Sequence, residues 1–386
     1  MNQNKTLYLF LNDKLVQGSE YELKQGTSNI SIKLRNLQPN VWYDNYTLSY
    51  TKDSSKTPVP SFKTKHRREV LLDIARRYLS KDSIKKVIDT IHDNDGKHLQ
   101  LYISDNNRYG IYSEYLNQTQ TTQNKDYLTK DEIEDIVNYA KDKDVQITPC
   151  FSVPGHSGKW LSIVKELYPD KNIQSDFDDT LADYWYNDDT YTAVKTLVSE
   201  IISLFKQDKM RFNIGADESA GASNNQPAYI DFINTIAEHL FDKNVTPIVW
   251  NDSIYTNGLK RLDRGIEVYY WKKSEGGLSA KDFANDNRDL TNCNFYSTTF
   301  LPESKFSQED IEWQQDYIKR QFNTDTFCEL EDDVEGSEFV DVDSPLAVRG
   351  TSFVIWSENS LDLTEEQYLS QVLPLIETYL NVSKIE

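Results

Sequence analysis

The sequence predicts an α/β fold, a (β/α)8 TIM barrel with a small N-terminal β-rich segment. Three observations predict it. Eight short apolar, strand-like runs recur from residue 70 onward, segments with helical hydrophobic spacing lie between several of them, and polar and aromatic residues gather where the runs end. The runs are Val70–Ala75, His98–Ser104, Val145–Ser152, Phe212–Ala216, Thr246–Trp250, Glu267–Trp271, Asn292–Ser297 and Thr351–Trp356. The helical segments are Ser83–Asp93, Lys130–Lys143, Ala193–Lys206, Ala228–Asp242 and Gln308–Arg320, and Glu365–Leu380 closes the series. The acidic stretch Glu329–Asp343, between the seventh and eighth runs, is expected to be a long loop. An open doubly wound sheet is the competing architecture. It would place a glycine-rich phosphate loop after an early strand, whereas Val70–Arg76 leads into Arg77-Tyr78-Leu79-Ser80 without a glycine.

Ahead of the barrel, Leu7–Leu11, Ile30–Leu34 and Tyr46–Tyr50 alternate apolar and polar residues between polar turns, and Lys52–Lys65 has the composition of a linker. The expected division is therefore a β-rich unit with its linker over residues 1–65 and a barrel over residues 66–386.

A chain of 386 residues with 38% hydrophobic content is long and apolar enough to bury a large core. Its net charge of −20 disfavours nucleic acid or an anionic membrane surface as partner and suits a neutral or cationic substrate. No stretch approaches the roughly 20 apolar residues that span a bilayer, and no secretory signal follows Met1. Cys150, Cys293 and Cys328 lack metal-ligand spacing. Cys150 and Cys293 lie within apolar runs, so buried free thiols are expected. The five histidines show no paired ligand spacing either, and neither a metal nor a cofactor is expected.

In a barrel the strand ends converge on one face, where active sites form. The ends in order supply Asp73 and Arg76, then Asp105, then Pro154-Gly155-His156-Ser157, then Asp217-Glu218, then Trp250-Asn251-Asp252, then Trp271, and finally Trp356-Ser357-Glu358. Each residue alone has an ordinary structural reading. An adjacent acid pair such as Asp131-Glu132 favours the start of a helix, a lone His is commonly a satisfied structural group, and a Trp is commonly core. Asp217-Glu218 differs because it terminates an apolar run after two small residues. The joint placement of an Arg, several acids, one His and three Trp at one rim points to a functional site, since three tryptophans are costly to leave on a surface without use.

These motifs resemble glycoside hydrolase family 20, the β-N-acetylhexosaminidases. The most specific are Leu72-Asp73-Ile74-Ala75-Arg76 and Phe212-Asn213-Ile214-Gly215-Ala216-Asp217-Glu218, in the family's order along the chain. The resemblance implies a retaining, substrate-assisted hydrolysis of β-linked N-acetylglucosamine, in which the substrate's own acetamide is the nucleophile and an oxazolinium forms. Glu218 would be the acid and base, Asp217 the acceptor of the acetamide N–H, and His156, backed by Asp105, a group that sets the proton affinity of Glu218. Arg76 and Glu358 would bind sugar hydroxyls, and Trp250, Trp271 and Trp356 would wall the pocket. The compact layout is similar to that of family members that cleave poly-β-1,6-N-acetylglucosamine of biofilms. That similarity implies an oligo- or polysaccharide partner and work outside the cell or at its surface; the chain without a leader also allows the cytoplasm.

The sequence departs from the family pattern at Cys150 and Ser152, where Glu and Asp are usual, at Asn213 for a His, and at Ala216 for a Gly. Direct alignment sets Thr299 at the position of the family's acetamide-binding Tyr, and a short slip brings Tyr296 there instead, so Tyr296 stands among the substrate-binding candidates. These losses leave open a carbohydrate-binding pseudoenzyme of the same fold. An unrelated metal-dependent barrel enzyme is the remaining reading.

Overall fold

The computed structural model describes residues 7–11, 14–16, 21–25, 30–34, 42–43, 46–49, 56–59, 62–63, 66–120, 126–329, 337–339 and 347–384. Eight strands form the barrel: β1 (Arg67–Asp73), β2 (His98–Ser104), β3 (Gln146–Val153), β4 (Arg211–Gly215), β5 (Thr246–Trp250), β6 (Glu267–Tyr270), β7 (Leu290–Asn292) and β8 (Val348–Ile355). Each pairs in parallel with the next, and β8 pairs with both β7 and β1, which closes the sheet. The strands are buried almost throughout, so they appear in sequence as continuous apolar runs rather than alternating ones.

The helices form where side-chain caps and apolar spacing coincide. In Lys81–Asp93 the Ser80 hydroxyl accepts from the Ser83 N–H, and Ile84, Val87, Ile88 and Ile91 are buried on one face. Lys130–Asp142, Gln308–Gln321 and Glu365–Val382 each begin with a reciprocal capping box. Helices Asp188–Leu204 and Gln226–Phe241 follow β3 and β4, whereas β5 and β6 are followed only by the short helices Thr256–Leu259 and Ala280–Asn285.

A charged network lies inside the barrel, away from the strand ends that carry the site. Arg211 donates to Glu69 at 2.9 Å, and to Glu267 and the Tyr269 hydroxyl at 2.6 Å each. Arg67 adds a bidentate contact to Glu267 at 3.1 and 2.9 Å. Burial alone would raise the Glu267 carboxyl, but Arg211 and Arg67 hold it down at about 2. Asn213, where the family usually has His, donates to Gln100 at 2.8 Å, and Gln100 donates in turn to Glu69 at 2.9 Å. The departure at Asn213 thus fits a network that links β1, β2, β4 and β6. Removing one partner of such a buried set costs roughly 3–5 kcal/mol, so the network fixes the relative height of these strands.

Three expectations need correction. The seventh strand is Leu290–Asn292, not Asn292–Ser297. The Asn294 carboxamide accepts from the Tyr296 and Ser297 N–H groups and turns the chain out of the barrel. The chain then returns as the short strand Thr299–Phe300, parallel to β8. Within the expected linker, Thr57–Pro58 and Phe62–Lys63 are strands, paired antiparallel with Tyr46–Ser49 and Trp42–Tyr43; its residues 52–55, 60–61 and 64–65 lie outside the described residues. Most of the acidic stretch Glu329–Asp343 also lies outside them, but Ser337–Phe339 is a strand antiparallel to Thr326–Cys328. Among the described residues no helix is long and apolar enough to cross a membrane. All three cysteines are buried, Cys150 and Cys293 as free thiols.

Candidate active site

Eight of the ten expected site residues line one cavity at the C-terminal ends of the strands: Arg76, His156, Asp217, Glu218, Trp250, Trp271, Trp356 and Glu358. Asp105 stands behind His156 and is 5% exposed. Tyr296 is not in the wall. The turn made by Asn294 seats its ring against Phe295 at 5.4 Å, and Thr299 lines the cavity instead. The cavity is about 280 Å³, near the lower end of the range for small-ligand pockets and suited to one sugar residue.

The β4 end holds the central acids in a backbone that side chains rarely adopt. Gly215, Ala216 and Glu218 have φ of 81°, 61° and 44°, and His156 opposite them has 52°. Gly215 must lack a side chain, because a Cβ there would meet the Ser152 hydroxyl at 2.0 Å. Ala216, where the family usually has Gly, keeps the left-handed conformation, and its carbonyl accepts from the Tyr229 hydroxyl at 2.6 Å. Sparsely populated backbone of this kind clusters at functional sites and persists only where neighbours over-determine it.

One such neighbour is Asp252, which motif reading quoted but did not place in the site. Its Oδ2 accepts from the Glu218 N–H at 2.7 Å and its Oδ1 from the Trp271 indole at 2.9 Å, which joins the ends of β4, β5 and β6. Burial, then the charge of Asp217, pushes its carboxyl up to about 7. Asn251 fixes the same corner by accepting from the Trp271 N–H at 3.0 Å and donating to the Lys272 carbonyl at 2.7 Å. Asp73 plays the equivalent part at the β1–β8 seam. It accepts from the N–H groups of Ala75, Arg76 and Ser357, and burial raises its carboxyl to about 6 against the pull of Arg76. Lys272 is a further wall residue that the strand-end reading missed. Its ammonium sits 4.6 Å from the Trp271 ring centroid and 5.4 Å from that of Phe295.

Charge at the rim centres on two cations. The Arg76 guanidinium contacts Asp105 at 2.9 Å, Asp73 at 3.4 Å and Glu358 at 3.6 Å, and lies over Trp356 at 4.9 Å. His156 faces three carboxylates: Asp105 at 3.4 Å from Nδ1, and Glu218 at 3.2 Å and Asp217 at 3.5 Å from Nε2. Burial disfavours its charged form, but Asp217, Asp105 and Glu218 together raise it well above the ordinary imidazole range and so favour the imidazolium. Asp105, although buried, is held down at about 2 by His156 and Arg76. Asp217 is pushed up by burial, against the pull of His156. Glu218, whose side chain is 57% exposed, is pulled down chiefly by His156. The adjacent acids thus differ in environment, one buried and one open at the mouth.

Trp250, Trp271 and Trp356 form the apolar wall. Trp250 packs at 6.2 Å from Trp356 and edge-on to Tyr269 at 5.7 Å, and Tyr102 braces Trp356 at 5.1 Å. Among the described residues no group of three or more His, Cys, Asp or Glu side chains is arranged to hold a metal ion.

Residues 65–374 match the glycosyl hydrolase family 20 catalytic domain. The chain belongs to glycosyl hydrolase family 20. Beta-hexosaminidase subunit A2 of Dictyostelium discoideum is 27% identical over 326 residues, 77% of this chain and 56% of that protein. Beta-hexosaminidase 3 of Arabidopsis thaliana is 27% identical over 156 residues, 39% of this chain and 27% of that protein. The chain therefore spans about half the length, or less, of these curated relatives. The crystal structure of Dispersin B superposes with a TM-score of 0.75 at 24% identity, covering 83% of this chain and 99% of that one. A catalytic module of the pneumococcal exo-β-D-N-acetylglucosaminidase gives 0.67 at 18% identity, covering 83% and 84%. Both share the family 20 fold.

Ser152, at a position where the family usually has an acid, donates to Asp217 at 2.5 Å and stabilises the ionised carboxylate. Ser152→Ala should therefore raise the Asp217 titration midpoint further, through the loss of a charge-assisted hydrogen bond to the carboxylate. Carboxyl carbon NMR titration of the two proteins checks this; an unchanged or lower midpoint would show that the hydroxyl does not stabilise the charge.

Proposed function

We propose that this family 20 chain is a β-N-acetylhexosaminidase that removes β-linked N-acetylglucosamine by a retaining, substrate-assisted mechanism. The observation that carries the proposal is the adjacent pair Asp217 and Glu218, both facing His156 Nε2 and both lining a cavity walled by three tryptophans. A buried carboxylate beside the sugar suits the acetamide N–H, which gains positive charge as its carbonyl oxygen attacks the anomeric carbon. An open carboxyl at the mouth suits the leaving oxygen. In the first step the glycosidic C–O bond breaks, Glu218 delivers a proton to that oxygen, and an oxazolinium forms. In the second, water adds to the anomeric carbon, its proton passes to Glu218, and the ring C–O bond opens. Two displacements at one carbon retain the configuration.

The charge array supplies the proton. His156 pulls the Glu218 carboxyl down and lies 3.2 Å from its Oε2, an arrangement that favours carboxylate and imidazolium before substrate binds. On this reading the proton moves from His156 to Glu218 as the leaving oxygen becomes basic, and Asp105 steadies the imidazole from behind. Arg76 and Glu358, paired at 3.6 Å in the same cavity, bind the sugar hydroxyls.

For the polymer we propose poly-β-1,6-N-acetylglucosamine, met outside the cell or at its surface. The similarity to Dispersin B across 99% of that chain supports it, as does the net charge of −20, which would attract a partly deacetylated, cationic polymer. One observation favours a second reading, a carbohydrate-binding protein with weak turnover. Thr299 lines the cavity where the family has its acetamide-binding Tyr, and Tyr296 does not replace it.

Rates on β-1,6 and β-1,4 N-acetylglucosamine oligomers of equal length, fully and partly acetylated and across a salt series, test both levels. The β-1,6 oligomers should be cleaved faster, and partial deacetylation outside the reacting residue should help at low salt only. Glu218→Gln should lower kcat by about 10²–10⁴. Faster β-1,4 cleavage would overturn the polymer, near-full activity of Glu218→Gln would overturn the acid, and no turnover by the parent with intact sugar binding would favour the second reading.

A further inference from the structure

The cavity suits one sugar, so the part of a glycan beyond the scissile bond must lie on the surface at its mouth, beside the open carboxyl of Glu218. The loop between β3 and helix Asp188–Leu204 packs on the two segments that carry His156 and Glu218. Residues 173–183 fold back on themselves: Ser175 N–H donates to Leu181 at 2.9 Å, Asp183 N–H to Ile173 at 2.9 Å, and Gln174 bridges Ala182. The folded loop is tied to the segment that carries His156, since Ala182 N–H donates to Pro154 and the Ser157 N–H to Thr180, each at 2.8 Å. Its tip reaches the segment that carries Glu218. A Cβ on Gly221, three residues after the acid, would meet the Phe177 ring at 3.3 Å and the Tyr184 hydroxyl at 3.2 Å.

Phe177 sits at that tip with 58% of its surface exposed. One edge of the ring rests on Gly221, and the remainder faces solvent. The tip is not free to collapse. The Phe177 N–H donates to the buried Ser175 hydroxyl at 3.2 Å, and Asp178 accepts from the Thr180 N–H and hydroxyl at 2.7 Å each. A large apolar ring held out by a pre-organised turn, against the segment that carries Glu218, has a use that core packing does not explain.

We propose that Phe177 is a specificity-determining stacking surface for the sugar on the leaving-group side of the scissile bond, so that the site grips a glycan chain and not its terminal residue alone. The proposal rests on the hexosaminidase reading for the position of the scissile bond. The occupant is the neighbouring pyranose of an N-acetylglucosamine chain, whose apolar face meets the ring while Glu218 reaches the oxygen between the two sugars.

The test compares an N-acetylglucosamine trisaccharide, of whichever linkage the parent handles better, with a chromogenic N-acetylglucosaminide that has no second sugar. For Phe177→Ala, the ratio of kcat/KM on the trisaccharide to that on the chromogenic substrate should fall about three- to tenfold, the range of one aromatic stacking contact. Phe177→Tyr, which keeps the ring, should restore the ratio. An unchanged ratio in Phe177→Ala, or a fall that Phe177→Tyr fails to reverse, would overturn the proposal. Calorimetry on the Glu218→Gln background reads the same contact without turnover. There Phe177→Ala should lower the affinity for the trisaccharide relative to N-acetylglucosamine by the same factor, and an equal change for both sugars would overturn the proposal. A parent that binds the trisaccharide with this pattern but cleaves neither substrate would instead overturn the hydrolytic reading and leave the platform standing.

Discussion

The imidazole of His156 stands among Asp105, Asp217 and Glu218, at 3.2–3.5 Å from each, and the rim of the barrel is organised around that contact. Three carboxylates brought together in a largely buried place would repel and take up protons. His156, with Arg76 also beside Asp105, lets Asp105 stay ionised and holds Glu218 low, while Asp217, the most enclosed of the three, is left raised. The same residue is structurally expensive. His156 has a φ of 52°, and its segment is held in place by the hydrogen bonds that tie it to loop 173–183. Local strain and concentrated charge therefore coincide at the residues to which the chemistry is assigned.

Two further carboxylates turn the strand ends into a rigid frame. Asp73 joins β1 to β8 through the Ser357 N–H, and Asp252 joins β4 to β6 through the Glu218 N–H and the Trp271 indole. Both are raised by burial, to about 6 and about 7, which is the consequence of using acids as backbone braces in an apolar surround. At the other end of the barrel, Arg211 with Glu69, Glu267 and Tyr269 fixes strand heights. The strand ends thus present Arg76, Asp217, Glu218 and the three tryptophans from elements with little freedom to shift, as a pre-organised site requires.

Much of this was legible in the sequence because barrel strands are buried on both faces and show as apolar runs, and because the residue that ends each run lies at the rim by geometry. That logic brought eight of ten expected side chains into one cavity. It failed at the seventh strand. Phe295 and Tyr296 extend the apolar pattern there, but the Asn294 side chain turns the backbone away from the sheet. A local side-chain cap outweighed the apolar pattern, and Tyr296 lies outside the cavity lining as a result. Ser152, Asp252 and Lys272 were missed for a different reason. Their roles depend on partners tens of residues away, such as Asp217, Glu218 and Phe295, and no spacing rule exposes a contact of that kind. Phe177 belongs to the same class, since a loop fold-back sets it against Gly221, three residues after Glu218.

The central claim is that Asp217 serves the substrate's acetamide and is not the attacking nucleophile. A thiazoline analogue of the oxazolinium carries that acetamide-derived group without a scissile bond, so its equilibrium binding isolates the contact. The account predicts tight binding to the parent and binding to Asp217→Asn weakened by roughly 10- to 100-fold, the loss of one charge-assisted hydrogen bond in a buried site. Equal affinity for the two proteins would contradict it.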